Sequence, residues 1–230
     1  MRVTIAIQNL NGGRWLAECL AAAIAVARCS YEHEFKIVLL DAGSGDNSLE
    51  IASHFPEVEL VQHPMLNQSS AMNLVVKRMD FDWFGFVNCD DHLMPQYFRE
   101  HEKMIIQHPD ADLLHSLCVF WIEKDRILHL PDTKSWEDGF RIGHNRVSQP
   151  TILINRKAFE KYGPFDESVD FVYDFEYATR IWKEGGKIVV TPEVTAYYRA
   201  RIDNLSHTNG AKFHPEWQRI GRMNCGMSNL

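Results

Sequence analysis

In the first half of the chain four short apolar runs, VTIAI (3–7), FKIVLLD (35–41), VELVQ (58–62) and WFGFVN (83–88), alternate with stretches of helical spacing. This alternation constrains the fold more than any other feature, because strands linked through helices pair in parallel and need cover on both faces. In RWLAECLAAAIAVARC, for instance, Leu16, Leu20, Ala23, Ile24 and Ala27 share one helical face. The pattern predicts an α/β fold with a Rossmann-like, mostly parallel sheet flanked by helices. A smaller portion follows it.

Beyond Pro95 a helix turns Phe98, Met104 and Ile105 inward, and ADLLHSLCVFWIEKDRILHL reads as two strands joined by a turn at 123–125. PDTKSWEDGFRIGHNRVS (131–148) has charge and glycine without a period and is expected to be a loop near the site. Residues 149–199 return to strand, helix, helix and strand. GRMNCGMSNL, at the end, reads as a loose tail. With 230 residues and 45% hydrophobic content the chain is expected to build one domain without staples. The net charge of −7 gives no general attraction to nucleic acid or anionic membrane. Five cysteines without C-x-x-C spacing argue against a disulfide framework or a structural zinc. No signal peptide and no membrane-spanning run are read in the sequence. A reducing, cytoplasmic setting is the expectation, with attachment at the inner face of the membrane left open.

Three acidic stretches carry the chemistry. In LLDAGSGDNS, Asp41 ends a strand just before Gly43 and Gly45, which permit a tight turn at the sheet edge where ligands of open α/β sheets sit. The same pattern also fits a plain glycine turn with Asp46 as a helix cap. FGFVNCDDHLMP ends another strand with adjacent Asp90 and Asp91. Two carboxylates about 4 Å apart repel by roughly 4 kcal/mol at an effective dielectric near 20, so a cation is favoured there over a solvated turn. The third stretch, FDESVDFVYDFEYATRIWKEGG, predicts a helix with Phe175, Ala178, Ile181 and Trp182 on one side. Glu176 and Arg180 then form a surface pair, while Asp174 faces the interior or a cleft, as a cap or as a proton acceptor.

Taken together, VTIAIQNLNGGRWLAECL, LLDAGSGDNS, FVNCDDHLMP, QPTILINRKAFEKYGPFDES and YDFEYATRIWKEGGKIVVTPEVTAYYR resemble the family-2 glycosyltransferases of the GT-A fold, in order, over roughly residues 3–200. The resemblance implies an inverting, nucleotide-sugar-dependent transferase in polysaccharide or glycoconjugate assembly. Residues 1–93 would bind the nucleotide sugar, residues 94–205 the acceptor, and 206–230 would be a tail. It further implies Asp174 as catalytic base, Asn11, Asp41, Gly43, Ser44, Asn73 and Asp90 as nucleotide-sugar contacts, and Asp91 on a divalent metal, manganese or magnesium. The expected partners are a nucleoside-diphosphate sugar, UDP favoured, and a saccharide or lipid-linked acceptor, with no nucleic acid.

Several positions depart from that family's pattern. Gln8 and Asn9 replace Pro-Thr on strand one, Asn88 stands where a further Asp is common, and Met72 replaces a frequent basic residue. Arg199 or Arg201 is expected to share the diphosphate's charge with the metal, and His207 has low weight as a further contact. Trp121, Trp136, Phe140, Trp182 and Tyr173 are candidates for an acceptor cleft. Two competing readings are a sugar-phosphate nucleotidyltransferase, suggested by LNGGRW (10–15), and a degenerate transferase domain used as a binding module.

Overall fold

Strand β1 (Arg2–Asn9) is buried from Val3 to Asn9, which requires neighbours on both edges and cover on both faces. The computed structural model describes residues 1–63, 67–122, 127–129, 136–141, 145–201, 204 and 208–226, and supplies both. In chain order β1 is followed by α1 (Gly13–Cys29), β2 (Glu34–Asp41), α2 (Ser48–Ser53), β3 (Val58–Gln62), α3 (Gln68–Arg78) and β4 (Trp83–Asn88). Then come β5 (His92–Leu93), α4 (Tyr97–Gln107), β6 (Leu113–Ile122), β7 (Ile127–His129), α5 (Trp136–Arg141), a 3-10 turn (Gln149–Thr151) and β8 (Leu153–Asn155). Helices α6 (Arg156–Tyr162) and α7 (Tyr173–Lys183), strand β9 (Ile188–Ala200) and helix α8 (Gly210–Cys225) complete the order.

The sheet runs β3-β2-β1-β4-β8-β6-β9-β5, with β7 against β6. Its first half is parallel throughout, as the alternation of strands and helices predicts. β8 joins β4 and β6 antiparallel, while β6 and β9 run parallel with two irregularities between His115 and Cys118. Strand side chains alternate between two cores. Val3, Ile5 and Ile7 join Leu16, Leu20 and Phe98 on one side, while Ala6, Phe84 and Phe86 join Met72, Phe165 and Phe175 on the other. Gly85 lies between them in β4, where an added Cβ would come within 2.9 Å of Ile5 Cδ1 and 3.0 Å of the Tyr97 hydroxyl.

Register sets the site. Asn9 lies level with Asp41, and Gln8 with Leu40 and Asn88, so the carboxyl ends of β1, β2 and β4 share one edge. β5 follows the Asp90–Asp91 turn directly and pairs antiparallel with Tyr197 and Ala196 of β9. That short strand, invisible in the periodicity, brings the end of β9 to the same edge.

Three expectations are corrected. Part of the expected loop 131–148 is helix α5, whose Phe140 is fully buried against Trp136 and Trp182. The expected loose tail contributes the last turn of α8, which buries Ile220, Gly221 and Asn224 against α7. Glu176 and Arg180 are not a surface pair. The Glu176 side chain is only 3% exposed and Arg180 binds it at 2.9 Å. The same guanidinium donates to the carbonyls of Tyr162 (2.6 Å) and Pro164 (2.9 Å), because this face of α7 turns toward the end of α6. Burial raises the Glu176 pKa and the Arg180 hydrogen bond opposes that. The turn at 123–125 lies outside the described residues. Among those described, no helix is long and apolar enough to cross a membrane, and all five cysteines are free.

Removing the guanidinium strands a buried carboxylate. Arg180→Ala is expected to lower unfolding free energy by about 3–5 kcal/mol in urea titrations at pH 7. A change below about 1 kcal/mol contradicts the buried pair.

Candidate active site

The loops after β1 and β2 interlock through Asp41, which is 1% exposed. One carboxylate oxygen accepts the backbone N–H groups of Gly43 (3.0 Å) and Ser44 (2.9 Å). The other accepts Asn9 Nδ2 (2.7 Å) and the Ser44 hydroxyl (2.6 Å). Burial pushes its pKa up, but the bonds from Ser44, Asn9 and Gly43 outweigh that and leave it below the ordinary value. Four donors occupy this carboxylate, which braces the loop and does not reach the cavity described below. Asn11 does reach it. Its φ of +53° is the sole positive value among described non-glycine residues, and Asn tolerates that region better than most. Asn11 N–H donates to Ser44 Oγ (2.9 Å) and its Oδ1 accepts from Gly45 N–H (2.8 Å), closing the knot. Gly12 is required beside it, since a Cβ there would fall 2.3 Å from Cys89 Sγ and 2.4 Å from Asn9 Oδ1.

At the end of β4 the two neighbouring acids part ways. Asp91 is 2% exposed; it accepts the Arg199 backbone N–H at 3.0 Å and a long bond from Asn88 Nδ2 at 3.5 Å. Burial, then the charge of Asp90, raise its pKa well above the carboxylate range. Asp90 instead lines the cavity, where its carboxylate meets Arg201 at 3.3 Å. Arg199 Nε donates to the Asp90 carbonyl at 3.1 Å and stacks its guanidinium 4.0 Å from the Trp15 ring centre. The structure therefore places Asp90, and not Asp91, on the cavity wall, with Asp91 buried and bonded to β9. Among the described residues no three acidic, His or Cys side chains form a metal cage. One carboxylate with phosphate oxygens and water suits magnesium or manganese, and Asp90 fits that donor set.

Asp174 sits in the first turn of α7, partly buried in the cavity wall, with Asn145 Nδ2 at 3.2 Å. Burial raises its pKa from 3.8 to about 6, against the opposing backbone N–H of Phe175. Beneath it lies a floor of amides that sequence reasoning did not assign. Asn88 donates to Gln149 Oε1 at 2.8 Å, Gln149 donates to the Tyr173 hydroxyl at 3.3 Å, and Gln8 reaches the same hydroxyl. Their only sequence signal is position, at or beside the ends of elements.

The cavity measures about 660 Å³ and brings together Asn11, Asp90 and Asp174. Trp15, Arg14 and Arg201 border it, and Phe171, Phe213 and Trp217 form an aromatic wall. Asp41, Gly43, Ser44, Asn73 and Asp91 do not line it. Asn73 is buried and clamps the segment before α7, bonding Phe165 N–H (3.0 Å) and C=O (2.9 Å) and the Glu167 carboxylate (3.0 Å). Of the five acceptor-cleft candidates Tyr173 lines the cavity, whereas Trp136, Phe140 and Trp182 pack in the core. Met72 is fully buried, and His207 lies outside the described residues.

A glycosyltransferase of Rickettsia typhi is 26% identical over 184 residues, covering 76% of this chain and 56% of its own length. A PGL/p-HBAD biosynthesis glycosyltransferase of Mycobacterium bovis is 24% identical over 221 residues, covering 89% of this chain and 79% of that one. S. aureus TarS 1–349 in complex with UDP-GlcNAc superposes with a TM-score of 0.77 at 16% identity, over 100% of this chain and 68% of that one. The mannosyltransferase PcManGT of Pyrobaculum calidifontis, in complex with GDP-Man and Mn2+, gives 0.72 at 13% identity, over 99% of this chain and 65% of that one. These likenesses carry the expected GT-A fold. This chain spans only 56% of the R. typhi relative. A match to Glycosyl transferase family 2 covers residues 4–163, both acidic turns included, and places the chain in that family.

Proposed function

We propose that this chain transfers a sugar from a nucleoside diphosphate to an acceptor hydroxyl, with inversion at the anomeric carbon. The observation that carries this reading is that Asp174, with its raised pKa, and Asp90 face one cavity together with cationic and aromatic side chains. UDP is the favoured nucleotide, in line with the UDP-GlcNAc complex of the TarS neighbour. Residues 1–93 contribute the donor side and residues 94–205, joined by α8, the acceptor side. A saccharide or lipid-linked acceptor suits the wall of Phe171, Phe213 and Trp217, whose flat faces pack on ring C–H groups or chain methylenes.

In the reaction the acceptor oxygen forms a bond to the anomeric carbon as the bond from that carbon to the diphosphate oxygen breaks. The acceptor proton passes to an oxygen of Asp174, and the nucleoside diphosphate departs with the electron pair. A divalent cation held by Asp90 would supply Lewis-acid neutralisation of the diphosphate. Arg201, already beside Asp90, shares that charge. Trp15 holds Arg14, which lines the cavity, at 4.1 Å, and the buried Arg199, paired with Glu18, at 4.0 Å. Asn145 steadies the base.

Two sets of measurements check this reading. In thermal-shift assays UDP with manganese is expected to raise Tm above UDP alone. Asp90→Asn is expected to lose that metal-dependent increment, while Asp91→Asn, at a side chain that does not line the cavity, keeps it. No shift with any nucleotide would favour a non-catalytic binding module.

For Asp174→Asn, transfer is expected to fall about 10²–10⁴-fold with donor binding kept. In the unchanged protein the rate should drop tenfold per pH unit below about pH 6, where Asp174 becomes protonated. Stability follows the opposite sense. A carboxyl whose folded pKa lies above its unfolded value stabilises at low pH and loses that contribution as pH rises through the folded value. Asp174→Asn should therefore raise Tm at pH 7.5 and leave it unchanged near pH 4.

A further inference from the structure

Helix α7 begins without a side-chain cap, its N-cap residue being Val172. The carboxylate that serves this end comes from α8. Glu216 Oε1 accepts the backbone N–H of Asp170 at 2.8 Å, and Oε2 accepts those of Phe171 at 2.6 Å and Val172 at 3.1 Å. Three consecutive amides converge on one anionic group, two residues before Asp174. Charge-assisted bonds to backbone N–H are among the stronger hydrogen bonds in proteins.

The segment 165–172 is otherwise tied on its far side to α3. Asn73 brackets Phe165, the Ser69 hydroxyl donates to the Val169 carbonyl, and Gln68 N–H donates to the Asp170 carboxylate at 3.0 Å. Glu216 closes the opposite side, flanked on α8 by Phe213 and Trp217, which both line the cavity. α8 is fastened again at its other end, where Asn224 Nδ2 donates to Thr179 Oγ1 at 3.0 Å and Lys183 Nζ donates to the Met223 carbonyl at 2.9 Å.

We infer that Glu216 is a positioning residue for Asp174: by gathering the amides of 170–172 it locks the base and the aromatic wall into a single unit. The inference rests on the reading of Asp174 as the base. Misplacement of a reacting group by about 1 Å costs on the order of 10²-fold in rate, so a loosened segment lowers turnover while the donor contacts on the other side of the cavity persist.

The test compares Glu216→Gln with Asn224→Ala, which loosens α8 away from the base. Glu216→Gln is expected to lower kcat about 10–100-fold with donor KM within about twofold. Hydrogen exchange of the 170–174 amides should accelerate, while Asn224→Ala keeps both kcat and that protection. Unchanged kcat in Glu216→Gln, a parallel loss of donor binding, or the same kinetic change in Asn224→Ala overturns the inference. Should Glu216→Gln fail to fold, Glu216→Asp, one methylene shorter, carries the same expectation. Failure of both to fold also overturns it, since the carboxylate then holds the fold as a whole. Asp174→Asn is measured alongside. Normal transfer by that variant would defeat the functional reading, whereas normal transfer by Glu216→Gln with an inactive Asp174→Asn would defeat this inference alone.

Discussion

The hydrogen bond from the Arg199 N–H to the buried Asp91 carboxylate, 3.0 Å long, is the join on which the site depends. It fastens the turn after β4 to the end of β9, and so to the mixed second half of the sheet. With it come the Arg199 side chain over Trp15 and Arg201 beside Asp90. Asp41 plays the equivalent part between β1 and β2, where four donors from two loops fill its oxygens. Two of the three acids at this edge are thus internal braces, which leaves Asp90 as the acid of the edge that faces the cavity.

Repulsion between Asp90 and Asp91 adds to burial in raising the Asp91 pKa. Asp91 turns away from solvent into a backbone donor, and Asp90 keeps an arginine partner. A net acidic chain still presents cationic side chains to its cavity, because Arg14 and Arg201 line it and gather with the buried Arg199 around one indole ring. That local concentration of positive charge is what a diphosphate requires and what the overall charge of −7 would not supply.

How much of this was legible depended on range in sequence. The parallel half follows from apolar runs and helical spacing, which are local signals. The distinct fates of Asp90 and Asp91 do not, because Arg199 lies 108 residues beyond Asp91. Asn73 shows the same limit: its helix was visible, but the partner segment at 165–167 that holds its side chain was not. Glu176 and Arg180 have ordinary surface spacing, and only the packing of α7 on the end of α6 buries them. α8 did carry a signal. Phe213, Trp217, Ile220 and Asn224 recur at helical intervals, masked by the glycine-containing residues that close the chain.

The neutral floor of Gln8, Asn88 and Gln149 under the arginine rim divides the cavity into two electrostatic regimes. Screening by dissolved ions weakens attraction at the partly open rim, and amide hydrogen bonds at the floor respond little to it. In the function proposed, capture of an anionic ligand and discrimination among its uncharged portions would therefore draw on separate forces, and raising ionic strength would slow the first while leaving the second largely intact.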